Sequence, residues 1–337
     1  MVTMKFDATA PLAPLKDMPA IARAAEDIGF AALWTTETQH DPFLPCVLIA
    51  EHTTRMAMGT AIAVSFARSP ATIAATAWDL AAQSDGRFIL GLGTQVRAHI
   101  ERRFGMPWPE SVKGKLREQI LALRAFWDSW QNGTKLNFRG DYYKLTLMSP
   151  FFNPGPIAKP DIPIFLAGVN TGLARLAGEQ CAGFFVPPFH TPLYVREIIL
   201  PAIAEGLAQE GRSRADIAVA VTAFVATSPE EQASARAQLS FYASTPSYRA
   251  VMDLHGWRAV AEKLSSHAAR GEWSEMPALI TDQILSEFCL VTSESNLISE
   301  LRERYAGIAD RVSLSIPFVP GQRDDFWRKL GTAIQRV

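Results

Sequence analysis

Residues 86–105 read GRFILGLGTQVRAHIERRFG. Arg87-Phe88-Ile89-Leu90 is a short, almost wholly apolar run that leads directly into Gly91-Leu92-Gly93-Thr94. A strand apolar on both sides is the habit of a parallel sheet covered by helices. Glycine after such a strand lets backbone approach a flat or anionic ligand closely, because no Cβ stands in the way. A lone Gly-x-Gly is more often a tight turn than a binding loop, so its meaning depends on what flanks it.

Upstream, strand and helix patterns alternate. Residues 6–8 and 31–35 read as the first two strands, and residues 56–64 as a third. Between the first two, Asp17 stands at an N-cap position before Ile21, Ala24, Ala25 and Ile28 at helical spacing, with Gly29 as the stop. Ser69-Pro70 combines a capping side chain with Pro at the first helical position, and Ile73, Ala77, Leu80 and Ala81 then form one buried face.

Downstream, Leu116, Ile120, Leu123 and Trp127 mark a long helix ending at Gly133, with Trp127 and Trp130 expected in the core. Residues 136–160, rich in Pro, Gly and aromatics, read as an irregular excursion, and residues 163–167 and 183–186 as the fifth and sixth strands. Asn170-Thr171 starts the helix carrying Leu173, Leu176 and Ala177; Thr191-Pro192 starts another, with a kink expected at Pro201. Residues 217–227 form the seventh strand, Ser228-Pro229-Glu230-Glu231 has capping-box spacing, and residues 311–316 and 324–337 give the eighth strand and a terminal helix. Eight strands, each followed by a helical pattern, argue for a closed α/β barrel, a (β/α)8 TIM barrel with insertions, over an open sheet. The expected organisation is a single domain over residues 1–337, with a helical insertion at about 230–288.

Composition narrows the function. At 337 residues, 48% hydrophobic and with formal net charge -1, the chain has no electrostatic reason to bind nucleic acid or an anionic membrane surface. Its longest apolar run stops at Glu51, too short to span a bilayer, and residues 1–5 lack the layout of a secretory signal. Three scattered cysteines, Cys46, Cys181 and Cys289, suggest free thiols in a reducing compartment; a cytoplasmic location is the expectation.

In a barrel of this kind the active site lies at the C-terminal ends of the strands. Those tips are mostly small, hydroxylated or apolar. They offer no cluster of His and carboxylates with metal spacing, no Gly-x-Ser-x-Gly elbow and no Walker loop. A mouth so poor in ionisable groups suits an organic cofactor that brings its own reactivity. Ala167-Gly168-Val169-Asn170-Thr171 is the best phosphate site, a strand end followed by a helix start; Asn170 there either caps its helix or shares in holding an anion.

Several motifs in order identify a family resemblance: Gly59-Thr60-Ala61-Ile62-Ala63-Val64 with Arg68-Ser69-Pro70; Ser84-Asp85-Gly86-Arg87-Phe88 with Gly91-Leu92-Gly93; Arg117-Glu118; Phe138-Arg139-Gly140-Asp141-Tyr142-Tyr143; Phe165-Leu166-Ala167-Gly168; and Ala182-Gly183-Phe184. The chain resembles the luciferase-like monooxygenases, a barrel superfamily of flavin and deazaflavin enzymes, and within it the branch that uses coenzyme F-420, the 8-hydroxy-5-deazaflavin. The resemblance implies a non-proline cis peptide at Ala61–Ile62 forming a bulge behind the ring, Gly93, Thr94 and Gln95 beside ring and ribityl chain, and Gly168, Val169, Asn170 and Thr171 at the phosphate. It also implies hydride transfer to or from a small organic substrate, and a homodimer. FMN-dependent oxygenation, non-catalytic flavin binding and a barrel of another class, such as a phosphosugar lyase, remain the alternatives.

The chain departs from its relatives after the second strand. Many carry an acid followed directly by His; here Glu37 holds the acidic place, Thr38 the His place, and His40 comes two residues later. Glu37 and His40 are therefore the expected catalytic pair, His40 relaying a proton with Glu37 behind it. A bland reading makes His40 a loop residue beside Asp41. The acid after the fourth strand of the sugar-phosphate dehydrogenases is replaced by Val96, and their phosphate-binding Lys falls near Phe189-His190, so a sugar phosphate is not the expected substrate. His190 and Trp108 are assigned to the substrate pocket, with Phe151-Phe152 as a further apolar wall; no metal is expected. His99 and Arg102 read as a solvated helix face or as contacts to a cofactor tail.

Overall fold

The computed structural model describes residues 4–335. Residues 1–3 and 336–337, which carry part of the N-terminal reading and the end of the terminal helix, lie outside the described residues. Eight parallel strands form the barrel: β1 (Lys5–Thr9), β2 (Ala32–Thr35), β3 (Ala57–Thr60), β4 (Phe88–Gly93), β5 (Ile164–Ala167), β6 (Gly183–Val186), β7 (Ala218–Ala226) and β8 (Arg311–Leu314). Each pairs with the next in sequence, and β8 returns to β1 with Lys5 opposite Arg311, closing the cylinder. The expected barrel is thus the observed one, and β4, buried at every position, is the strand that the opening motif described.

Side-chain alternation decides what fills the interior. Trp34, Ile89 and Phe165 are buried there, and Phe185 joins them with ring centroids 5.1 Å from Trp34 and 5.2 Å from Phe165. Three such rings fit only if facing positions are small. A Cβ added at Gly183 would meet the Phe165 ring at 2.4 Å, and one at Gly91 would meet Phe185 at 2.9 Å and the Thr60 carbonyl oxygen at 1.7 Å. The glycines and the aromatics are therefore one packing solution. Above this plug the barrel opens.

The third strand, read as one run over residues 56–64, is broken at the cis peptide that the family resemblance implied. β3 stops at Thr60, the Ala61–Ile62 peptide is cis, and the chain resumes strand pairing at Ala63–Val64, opposite Leu92 and Gly93. Gly93 gives the bulge its room, since a Cβ there would lie 2.8 Å from the Ile62 side chain.

Outside the barrel, Ser69, Asn170 and Thr191 cap their helices as read, accepting from the amides of Thr72, Leu173 and Tyr194. Three local readings are corrected. Asp17 makes no capping bond, because it sits in a 3-10 turn that runs straight into the helix Met18–Ile28. Pro201 produces a π-helical turn, Val195–Ile199, instead of a simple kink; a wider turn accommodates a ring that has no N–H to donate. Glu231 does not close a capping box with Ser228; its carboxylate reaches back to the amide and hydroxyl of Thr227. The insertion is helical, Pro229–Ser244, Arg249–Leu254, Arg258–Arg270 and Asp282–Phe288, but it ends in a short strand, Cys289–Val291, laid against the end of β7. Residues 136–160 contain a small hairpin, Phe138–Arg139 with Lys144–Leu145. The Glu118 carboxylate holds its turn through the amides of Asp141, Tyr142 and Tyr143. Among the described residues no helix is long and apolar enough to cross a membrane.

Candidate functional site

A cavity of about 460 Å³ opens at the C-terminal ends of the strands. Inward-facing residues of five strands line it: Asp7 and Thr9 from β1, Trp34 from β2 with Thr36 just beyond, Ala167 from β5, Phe185 from β6, and Ala220, Thr222 and Phe224 from β7. Ser313 and Ser315 add the β8 side. Ala61 and Ile62, the two halves of the cis peptide, supply one wall. Gln238 and Tyr242 reach in from the insertion helix Pro229–Ser244.

The floor is polar and fully engaged. Arg311 grips Asp7 with two bonds, Nε to Oδ2 at 2.8 Å and Nη2 to Oδ1 at 2.7 Å, and the Trp34 indole N–H donates to Oδ2 at 3.0 Å. Burial pushes the Asp7 carboxyl up, while Arg311 and Trp34 pull it back. A buried carboxylate survives only with such partners. The result is a rigid Trp34 plane under the cavity.

Glu37 sits behind the bulge. It is 8% exposed, and its Oε2 accepts from the Val64 amide at 2.6 Å and from Arg68 at 2.7 Å. Arg68 also holds Asp41 at 2.9 Å. Glu37 thus braces the strand that resumes after the cis peptide. His40 is exposed on the loop after β2 and does not line the cavity, whereas Thr38, in the place of the relatives' His, does.

The other expected residues divide. Gly93 is buried and abuts Ile62; Thr94 and Gln95 are half-buried beyond it, with Gln95 at φ +58. Ala167 reaches the cavity, and Gly168 follows with its Cβ position blocked by Leu173 at 2.5 Å. Val169 accepts from the Tyr194 hydroxyl at 3.2 Å. Asn170 and Thr171 are exposed at the helix start, and Asn170 spends its Oδ1 on the Leu173 amide at 3.0 Å.

His190 and Trp108 are not in the cavity lining. His190 is buried away from it, Nδ1 2.8 Å from the Pro187 carbonyl oxygen and Nε2 3.1 Å from the Tyr305 hydroxyl. Burial drives its pKa down to about 4, so the ring is neutral at physiological pH. Trp108 packs edge-on against Phe66, 6.0 Å between centroids. Phe151 and Phe152 are exposed on a turn, and His99 and Arg102 lie on a solvated helix face. The one ligand-like cluster found among the described residues, His267, Glu272 and Glu275, lies outside the cavity, and Glu272 is already paired with His267 and Arg270.

Sequence reasoning passed over Trp34, Gln238, Tyr242, Thr222 and Ser313, and took Asp7 only as a residue at the end of the first strand. Asp7, with its charge in an otherwise apolar strand, was the legible signal; Arg311, its partner 304 residues away, was visible only as the start of the last strand. Gln238 and Tyr242 gave none, since their helix reads like any amphipathic surface helix.

The family model for luciferase-like monooxygenases matches residues 2–311. An uncharacterised protein of Mycobacterium tuberculosis is 43% identical over 297 residues, 86% of this chain and 87% of its own length. An F-420-dependent glucose-6-phosphate dehydrogenase of Intrasporangium calvum is 31% identical over 208 residues, 57% of this chain and 60% of its own. In fold, the coenzyme F-420-dependent tetrahydromethanopterin reductase of Methanopyrus kandleri superposes with a TM-score of 0.80 at 18% identity, covering 99% of both chains. With the family model spanning nearly the whole barrel, its interrupted third strand and its mouth, this chain belongs to the luciferase-like monooxygenase family of oxidoreductases.

Proposed function

We propose that this chain binds coenzyme F-420 with the deazaflavin ring in the barrel mouth and catalyses hydride transfer between that ring and a small organic molecule. The observation that carries the reading is the convergence on one cavity of the Ala61–Ile62 bulge and the end of β5 at Ala167, far apart in sequence. The residues present fit a flat ring: Ala61, Ile62, Ala167 and Phe185 give low, apolar walls, and Gly93 keeps the bulge from being pushed into the space. When bound, the deazaflavin supplies a hydride centre with carbon in place of the flavin N5, a centre that reacts poorly with oxygen.

The protein's own part is placement. Trp34, clamped by Asp7, floors the site; Glu37 fixes the bulge through the Val64 amide; the apolar rim excludes water. Gly168, Val169, Asn170 and Thr171 are suited to the phosphorylated arm, beside the start of the helix Thr171–Gln180. A wall hydroxyl, Thr38 Oγ1 or Ser315 Oγ, would orient the substrate oxygen and take its proton while releasing its own toward solvent, and in the reducing direction would give a proton back while taking one up. His40, two residues beyond Thr38, can pass that proton on to solvent.

Titrating the purified chain with F-420 and, separately, with FMN tests the reading by calorimetry. Saturable F-420 binding with weaker FMN binding is expected. Tight FMN binding with none for F-420 would replace hydride transfer by oxygenation.

A further inference from the structure

Among the described residues the cavity lining holds no Lys, Arg or His, and Asp7 is its one carboxylate. Arg311 neutralises that carboxylate with a two-pronged grip, so the floor carries no net charge. Three arginines at the C-terminal end of the barrel already have partners. Arg68 is bound by Glu37 and Asp41, Arg323 by Glu231 and Glu294, and Arg103 donates to the Thr38 carbonyl oxygen. The hydroxyls of Thr9, Thr36, Thr38 and Ser315, by contrast, line the cavity and make no hydrogen bond within the described chain. The rings of Phe185, Phe224 and Tyr242 line the same cavity.

An anion brought into such a wall would shed its hydration and find no cation to offset the loss. An uncharged molecule would lose little, and an oxygen atom on it would gain from the unpaired hydroxyls. Resting on the hydride-transfer reading above, we infer that the substrate is an uncharged alcohol or carbonyl compound with an apolar body, and not a phosphorylated or carboxylated one. Its apolar part lies against Phe224 and Tyr242, and its oxygen faces the hydroxyls. Gln238 and Tyr242, which come from the insertion and not from the barrel, set the size of the apolar part.

The experiment is calorimetric titration of the F-420-loaded protein with a panel of neutral alcohols and ketones, cyclohexanol and cyclohexanone among them, and with glucose 6-phosphate. The tightest neutral compound is expected to bind at least roughly 100-fold more tightly than the sugar phosphate. Equal or tighter binding of glucose 6-phosphate, or no binding by any neutral compound, overturns the inference. Ser315→Lys adds the missing cation and is expected to raise glucose 6-phosphate affinity roughly tenfold; an unchanged affinity in the folded variant also overturns it. Failure of the cofactor reading is seen separately, as absence of F-420 binding, and the same ligand comparison then runs on the unloaded protein.

Discussion

The two ends of the barrel are built from opposite materials. At the N-terminal end of the strands, long charged side chains saturate the backbone. Arg87 uses all five of its N–H groups, on the carbonyls of Ala50, Thr53, Met56 and Ser84 and on the Thr53 hydroxyl. The Glu26 carboxylate takes the amides of Thr54, Arg55 and Met56, and Asp310 takes the Val219 amide together with Arg214. At the C-terminal end the only charge lining the cavity is the Asp7 carboxylate, held by Arg311, and the rest of the lining is short hydroxyls and rings. One end spends charged side chains on backbone groups at the strand starts; the other leaves hydroxyls unspent. Stability belongs to the first and chemistry to the second.

The sharpest way to break this division is Arg87→Ala. Several partly buried carbonyls would lose a charged donor at once, a cost of about 4 kcal/mol, read as a lower denaturant midpoint. F-420 affinity, measured well below the melting temperature, is expected to stay within about twofold of the parent, because a stability change remote from the site does not enter the binding constant while the fold persists. A matching collapse of affinity would show that the two ends are not separable.

His190 tests the border between the two ends by pH. Its folded pKa of about 4 lies below the ordinary 6.5, so the unfolded chain binds the proton more readily. The stabilisation is complete above pH 6.5 and is lost as pH falls from there toward 4, on the order of 3 kcal/mol in all. Denaturant titrations across that window should show the slope, and His190→Gln should flatten it. A slope that survives the substitution would mean that other groups carry the acid sensitivity.

These two residues also show what a sequence can and cannot reveal. The barrel was legible because strand and helix periods alternate along the whole chain. The break at Ala61–Ile62 came from family resemblance alone; nothing in Gly59-Thr60-Ala61-Ile62 dictates it locally. Gly91 and Gly93 drew attention as possible ligand contacts, yet their space is taken by Phe185, the Thr60 carbonyl and Ile62. That exchange is invisible in sequence because the partners lie on other strands. His190 and Trp108 were placed in the pocket from their position after a strand or loop; position fixes where a backbone arrives, and packing then decides which way the side chain turns. Tyr305 and Phe66, the partners that turned them, are distant in sequence.

A smaller effect should come from Glu37, which joins the charged style of one end to the cavity at the other. Glu37→Ala removes the acceptor for the buried Val64 amide, and a looser bulge is expected to weaken F-420 binding about tenfold, equivalent to about 1.4 kcal/mol. Glu37→Gln keeps a carbonyl oxygen in reach of that amide and should recover most of the loss. Equal damage from both variants would point instead to the charge on Arg68 as the quantity that matters.

The smallest effect is expected at His40. It stands on the same loop as Glu37, but its side chain is exposed and outside the cavity lining, with Thr38 at the wall in its stead. His40→Ala should change stability by less than about 0.5 kcal/mol, as exposed substitutions usually do, and should leave F-420 affinity unaltered. A relay through this imidazole has a different signature: the rate of hydride transfer, once a substrate is in hand, would fall while binding held, and its dependence on pH would change. Thr38→Val is the companion measurement. If the Thr38 hydroxyl hands the proton directly to solvent, that variant slows turnover and His40→Ala does not; if both slow it equally and non-additively, the two act in one chain, and the loop after β2 carries the only ionisable side chain that the mouth's chemistry uses.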